Sequence, residues 1–198
     1  MARRSALFSL LTLRIKYIVV MNLLFYGGVF ISSVLMSFFF PLQLYGWQLG
    51  EFSGNFALDV LSVFLFNLTV SSFAVITLPG FVLFPLSATF LIYRAFIWGS
   101  LIYQLPNSVF LTSLIPLILE GEGYVFAAVA GALVGISWVK TGWIYPKVSI
   151  SRSTALRKAL RESALFYVLV VVLLLVAAVI ETAILFDLLT SLRGTLFL

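Results

Sequence analysis

Lone ionisable residues inside long apolar runs constrain this chain more than any other feature. Arg94, Glu120, Glu122 and Glu181 all fall in stretches that read as membrane-spanning, and Asn67 and Asp59 lie in another. An isolated charge at the middle of a bilayer costs about 2.5–3.5 kcal/mol on insertion scales. Each such residue must therefore be paired, hydrated or functional.

The surrounding composition makes the membrane reading firm. Of 198 residues, 63% are hydrophobic and only 10% charged, against roughly 25% charged in a soluble domain. The length suits a single membrane domain with no separate soluble one. A formal charge of +5 would suggest nucleic acid in a soluble protein. Here the bases cluster at span boundaries, so the positive-inside rule accounts for them and no nucleic-acid partner is expected. Cysteine and histidine are both absent. That removes disulfides, thiol nucleophiles, histidine bases and the usual zinc sites, and no metal or cofactor is expected.

The predicted fold class is all-α: a polytopic integral membrane helical bundle with five transmembrane spans. Apolar runs of about 20 residues place them at 17–40, 56–78, 81–105, 109–139 and 164–188. Residues 1–16, with Arg3, Arg4, Arg14 and Lys16, resemble a secretory signal at first sight. Arg14 and Lys16 interrupt its apolar core, and no small-x-small cleavage site follows, so an interfacial basic segment is expected instead. Between the first two spans, Pro41, Gly46, Gly50 and Gly54 mark a loop in which Tyr45 and Trp47 suit an interfacial belt. Pro106 closes the third span, and Pro116 is expected to divide the fourth.

Orientation follows from counting charges. With the N-terminus cytoplasmic, the inside holds the four bases of 1–16 together with Lys140, Lys147, Arg152, Arg157, Lys158 and Arg161. The outside then holds only Arg193. This asymmetry predicts N-in and C-out, in a multi-pass protein of the cell membrane. The stretch 140–163 is a basic cytoplasmic elbow. Trp143, Tyr145 and Pro146 form an interfacial turn, and Ser153 is placed to cap a helix that continues into the last span. The elbow reads either as an ordinary boundary or as a docking helix for a partner or anionic lipid.

Gly123, Ala127, Gly131 and Gly135 recur every four residues and form a smooth ridge on the fourth span. Such a ridge serves close packing against another helix, either within the bundle or in a homodimer. Glu120 and Glu122 are two apart, so on a helix they project about 200° from one another and need separate partners. Arg94 is the only cation among the spans and is expected within reach of Glu120 or Glu122 rather than Glu181. One cation does not neutralise three carboxylates, which keeps an ion- or proton-coupled role open beside a structural one. Enzyme motifs are missing. The chain has no histidine for a rhomboid-type dyad and no Gly-x-Gly-Asp motif, and no lysine follows Gly121-Glu122-Gly123 to make a nucleotide loop.

Four segments resemble the stage II sporulation protein M family. They are Phe66-Asn67-Leu68-Thr69-Val70; Tyr93-Arg94-Ala95-Phe96-Ile97-Trp98-Gly99; Pro116 to Gly131 with its acidic residues, Tyr124 and Ala127-Ala128-Val129-Ala130-Gly131; and Ala177-Ala178-Val179-Ile180-Glu181. The resemblance covers about 56–186. Leu68 stands where the family has a second Asn, Arg94 where it has Asn, and the family histidine is missing. Either Glu120 or Glu122 is the counterpart of its acidic residue. What the resemblance implies is a non-enzymatic polytopic protein, a scaffold or partner subunit of the cell envelope. Its expected partners are the lipid bilayer, other membrane proteins and a second copy of itself as a dimer. The rival expectation is a transporter or channel component using Glu120, Glu122 and Glu181.

Overall fold

A computed structural model of the chain describes residues 6–39, 53–105, 107–145 and 150–196. Arg3, Arg4, Pro41, Tyr45, Gly46, Trp47, Gly50, Pro106, Pro146 and Lys147 lie outside the described residues, as does the side chain of Arg193. Every described element is helical: α1 Ala6–Phe39, α2 Phe56–Leu65, a π-helical segment Phe66–Thr77, α3 Leu78–Val82, α4 Phe84–Gln104, α5 Asn107–Val139, α6 Thr141–Ile144 and α7 Arg152–Leu196. Among the described residues, five helical stretches are long and apolar enough to cross a membrane: Leu7–Phe39, Phe56–Val82, Phe84–Gln104, Phe110–Val139 and Arg152–Asp187.

The first, second and fifth spans are longer than the apolar runs suggest, whereas the third and fourth match them closely. The first helix is described from Ala6, so Arg14 and Lys16 of the basic segment lie within the same continuous helix as the first span. Helix α5 runs unbroken through Pro116, correcting the expected division. Proline removes one backbone hydrogen bond, and a membrane helix tolerates that loss where neighbouring helices enclose it; Pro116 is buried. The elbow helix and last span form one helix, α7. It begins at Arg152 rather than Thr154, and the cap is Ser151, whose hydroxyl accepts from the Thr154 backbone N–H at 3.3 Å. The second and third spans are joined with almost no loop, since Leu83 alone adopts extended backbone between α3 and α4.

Helix α5 is the axis of the bundle. In its apolar stretch 78% of residues are buried, against 22–33% in the other four. A helix that is apolar all round belongs inside, and small side chains let its neighbours close on it from every direction. A Cβ added to Gly131 would meet the Thr77 carbonyl oxygen at 2.8 Å, and one on Gly135 would run into the Gly80 carbonyl oxygen. One on Gly123 would meet Leu174 at 2.9 Å. The ridge is therefore taken up inside the protomer, against α3 and the π segment on one side and α7 on another. The homodimer alternative for these four residues falls away.

Helices α1 and α4 make a second close seam that the sequence reading passed over. Gly28 and Ser32 of α1 meet Ala95 and Gly99 of α4, each pair spaced by four. A Cβ on Gly99 would run into the Val29 carbonyl oxygen. Two serine hydroxyls stitch the seam: Ser32 donates to the Phe96 carbonyl at 2.8 Å and Ser33 to the Gly99 carbonyl at 2.8 Å. The outer faces of α1, α2, α4 and α7 carry exposed Leu, Val and Phe, as lipid-facing surfaces do.

Candidate functional site

The intramembrane polar residues separate into three groups, and the geometry of α5 decides the division. Tyr124, one turn beyond Glu120, is fully buried and lies at the centre of the first group. Its hydroxyl bonds to the Glu120 carboxylate on its own helix and to the Asn67 amide at 3.0 Å, and receives Arg94 Nη2 at 2.9 Å. Arg94 also reaches Glu120 itself at 3.5 Å and lies over the Tyr124 ring, 5.1 Å from its centroid. Glu120 is 2% exposed and Asn67 7%. Glu181 of α7 is half-buried and makes no ion pair with Arg94 among the described residues. Ten residues separate Arg94 from either end of α4, so this cluster lies about 15 Å from both.

Three separate elements hold the cluster together. Asn67 comes from the π segment, in which the backbone N–H of Leu78 bonds to the Phe73 carbonyl five residues back. π-helical turns are rare and concentrate at functional sites. Thr77, at the end of this segment, donates to the Ala127 carbonyl at 2.9 Å and receives the Tyr167 hydroxyl at 2.6 Å. That relay fastens α5, the π segment and α7 together just beyond the cluster.

Glu122 belongs to a second group. It faces α1, where the Tyr26 hydroxyl donates to it at 3.1 Å. Its distance from the first group follows from the turn of the helix, which sends Glu120 and Glu122 to opposite sides. Asp59 belongs to neither. It is buried in the first turn of α2 and accepts from the Ser53 backbone N–H at 2.9 Å, while Asn55 caps the helix by accepting from the Ala57 and Leu58 N–H groups.

The third group, at the basic end of the bundle, was not anticipated. Arg14 of α1 and Glu162 of α7 form a buried ion pair at 2.7 Å. Arg14 also donates to the Ile144 carbonyl at 3.1 Å, and Tyr145 donates to Glu162 at 3.2 Å. Burial, and then the facing Glu162 carboxylate, raise the Tyr145 phenol above its ordinary value, which keeps it a donor through neutral pH. The signal was available in the sequence: Glu162 is the only acid among the ten bases of 1–16 and 140–163. Lys140 and Lys158 lie over the Trp143 and Tyr145 rings, whereas Arg152, Arg157 and Arg161 are exposed on α7.

No set of three metal-ligating side chains that could hold an ion occurs among the described residues. Taken together, fold and site define an all-helical bundle with five helices long and apolar enough to cross a membrane, whose central helix carries a buried polar cluster. No protein-family model, curated protein or solved structure matches the chain.

Proposed function

We propose that this chain is a non-enzymatic integral membrane scaffold or partner subunit of the cell envelope, related to the stage II sporulation protein M family. Its N-terminus is cytoplasmic and its C-terminus outside. The observation that supports this reading best is the enclosure of Glu120. A carboxylate 2% exposed and held by Tyr124 and Arg94 has the partners that a packing element needs, and helps fix the positions of α4, α5 and the π segment. Buried ion pairs contribute specificity of packing more than net stability. A homodimer belongs to the same proposal, over a face other than the enclosed α5 ridge.

One observation favours the rival reading of a carboxylate-coupled transporter: the spans carry more carboxylates than cations, and among the described residues Arg94 pairs with Glu120 alone. Purification after crosslinking in the native membrane, with identification of what accompanies the chain, separates the two. The scaffold reading expects a stoichiometric protein partner. It also expects reconstituted vesicles to hold a proton gradient as long as empty ones do. A chain that arrives alone and collapses the gradient, with the collapse lost in Glu120→Gln, overturns it.

A further inference from the structure

We propose that the basic end of the bundle binds the phosphate headgroups of anionic lipids, with Lys140 and Lys158 as the principal contacts. This rests on reading the five long helices as membrane spans. The charge at this end is one-sided. Ten bases and one acid fall within 1–16 and 140–163, and that acid, Glu162, is 8% exposed and held by Arg14 and Tyr145. The exposed charge left at this end among the described residues is wholly positive: Lys16, Lys140, Arg152, Arg157, Lys158 and Arg161.

Position selects the lipid headgroup as the partner. Trp143 is 58% exposed, and its backbone carbonyl accepts the Tyr17 hydroxyl at 3.4 Å. Tyr and Trp rings of membrane proteins concentrate at the headgroup level. Lys140 Nζ lies 4.1 Å from the Trp143 ring centroid and Lys158 Nζ 4.4 Å from that of Tyr145. Both ammonium groups are therefore held at the depth where phosphates lie.

A lysine resting on a ring face keeps its N–H donors free for an anion. Neither lysine has an ion-pair partner among the described residues. The seat is also fixed in place. Arg14 ties the Ile144 carbonyl and Glu162 together and lies over the Tyr145 ring, while the Trp143 ring packs edge-on against Phe84 of α4. From Glu162 back to Arg152, α7 extends only about 15 Å, in reach of the same headgroups. An acidic soluble partner could approach Arg152 and Arg157, but the lysine pair at ring depth lies behind the headgroups.

The test uses the full chain in phosphatidylcholine vesicles containing 10 mol % of tail-brominated phosphatidylglycerol or, in a parallel set, tail-brominated phosphatidylcholine. Trp143 emission is taken as the difference between the wild type and Trp143→Phe. Brominated phosphatidylglycerol is expected to quench at least twofold more than brominated phosphatidylcholine. An anionic surface contributes about fivefold in affinity per base. Lys140→Gln with Lys158→Gln should therefore abolish the preference, Lys140→Arg with Lys158→Arg should restore it, and Arg152→Gln should weaken it by less than the double glutamine variant does. Equal quenching by the two lipids overturns the proposal, as does a preference that survives the double glutamine variant. Soluble polyglutamate that reverses the quenching overturns it in favour of an acidic protein partner. Failure of the chain to float with either vesicle set overturns the membrane reading as well.

Discussion

Tyr124 carries one proton and meets two acceptors, Asn67 Oδ1 and Glu120 Oε1, while Arg94 donates to its oxygen. The count closes with the Asn67 amide turned over, since oxygen and nitrogen exchange places on rotation. The phenol oxygen then accepts from Arg94 and Asn67 and donates to Glu120. In that arrangement Arg94→Leu leaves a buried carboxylate without its cation, and a loss of about 3 kcal/mol is expected. Arg94→Leu with Glu120→Gln should lose less than Arg94→Leu alone in a detergent thermal melt. The cycle with Glu122→Gln should be additive, because Glu122 bonds to Tyr26 instead. Additivity in both cycles would mean that Arg94 and Glu120 are not coupled. Arg94 and Glu120 announce themselves in the sequence because a charge in an apolar run has no cheap explanation. Tyr124 does not, since a tyrosine in a span is unremarkable until its hydroxyl is located. Arg14 and Glu162 were harder still: 148 positions separate them, and each alone passes for a boundary charge.

At the scale of elements, close approach is concentrated at a few glycines, and the contrast among them is measurable. Gly135→Ala sets a methyl against the Gly80 carbonyl, and Gly99→Ala sets one against the Val29 carbonyl. Backbone cannot swing away as a side chain can, so each should cost about 1–3 kcal/mol by thermal melt. Gly27→Ala meets nothing within 4 Å and should be neutral or stabilising by up to about 1 kcal/mol from helix propensity. Equal effects at Gly27 and Gly135 would contradict the packing described. Five helical spans were legible because length and apolarity alone define them. The π winding of 66–77 was not, because it depends on how Thr77 and Asn67 are drawn to α5 rather than on local propensity. Pro116 misled for a similar reason, since the neighbouring helices that make its lost backbone hydrogen bond tolerable cannot be read from the local sequence.

For the whole molecule, the proposed topology makes a clean experiment, because the chain has no cysteine of its own. A single cysteine at Ser151 should be shielded from an impermeant thiol reagent in intact cells and react once they are opened. One at Asn55 should react from outside, and the reverse pattern would invert the orientation. The enclosure of α5 also has a consequence for biogenesis. The helix most hidden from lipid in the finished bundle is the fourth of five to leave the ribosome, and its largest partner, α7, is the last. Until α7 docks, the small-residue flank that receives Leu174 faces lipid, and Glu120 lacks one wall of its enclosure. Arg14 likewise waits for Glu162. Docking of α7 thus closes the core in one step, and a ribosome stalled before α7 leaves the preceding spans around an unclosed polar core, the kind of intermediate that membrane quality-control proteases recognise.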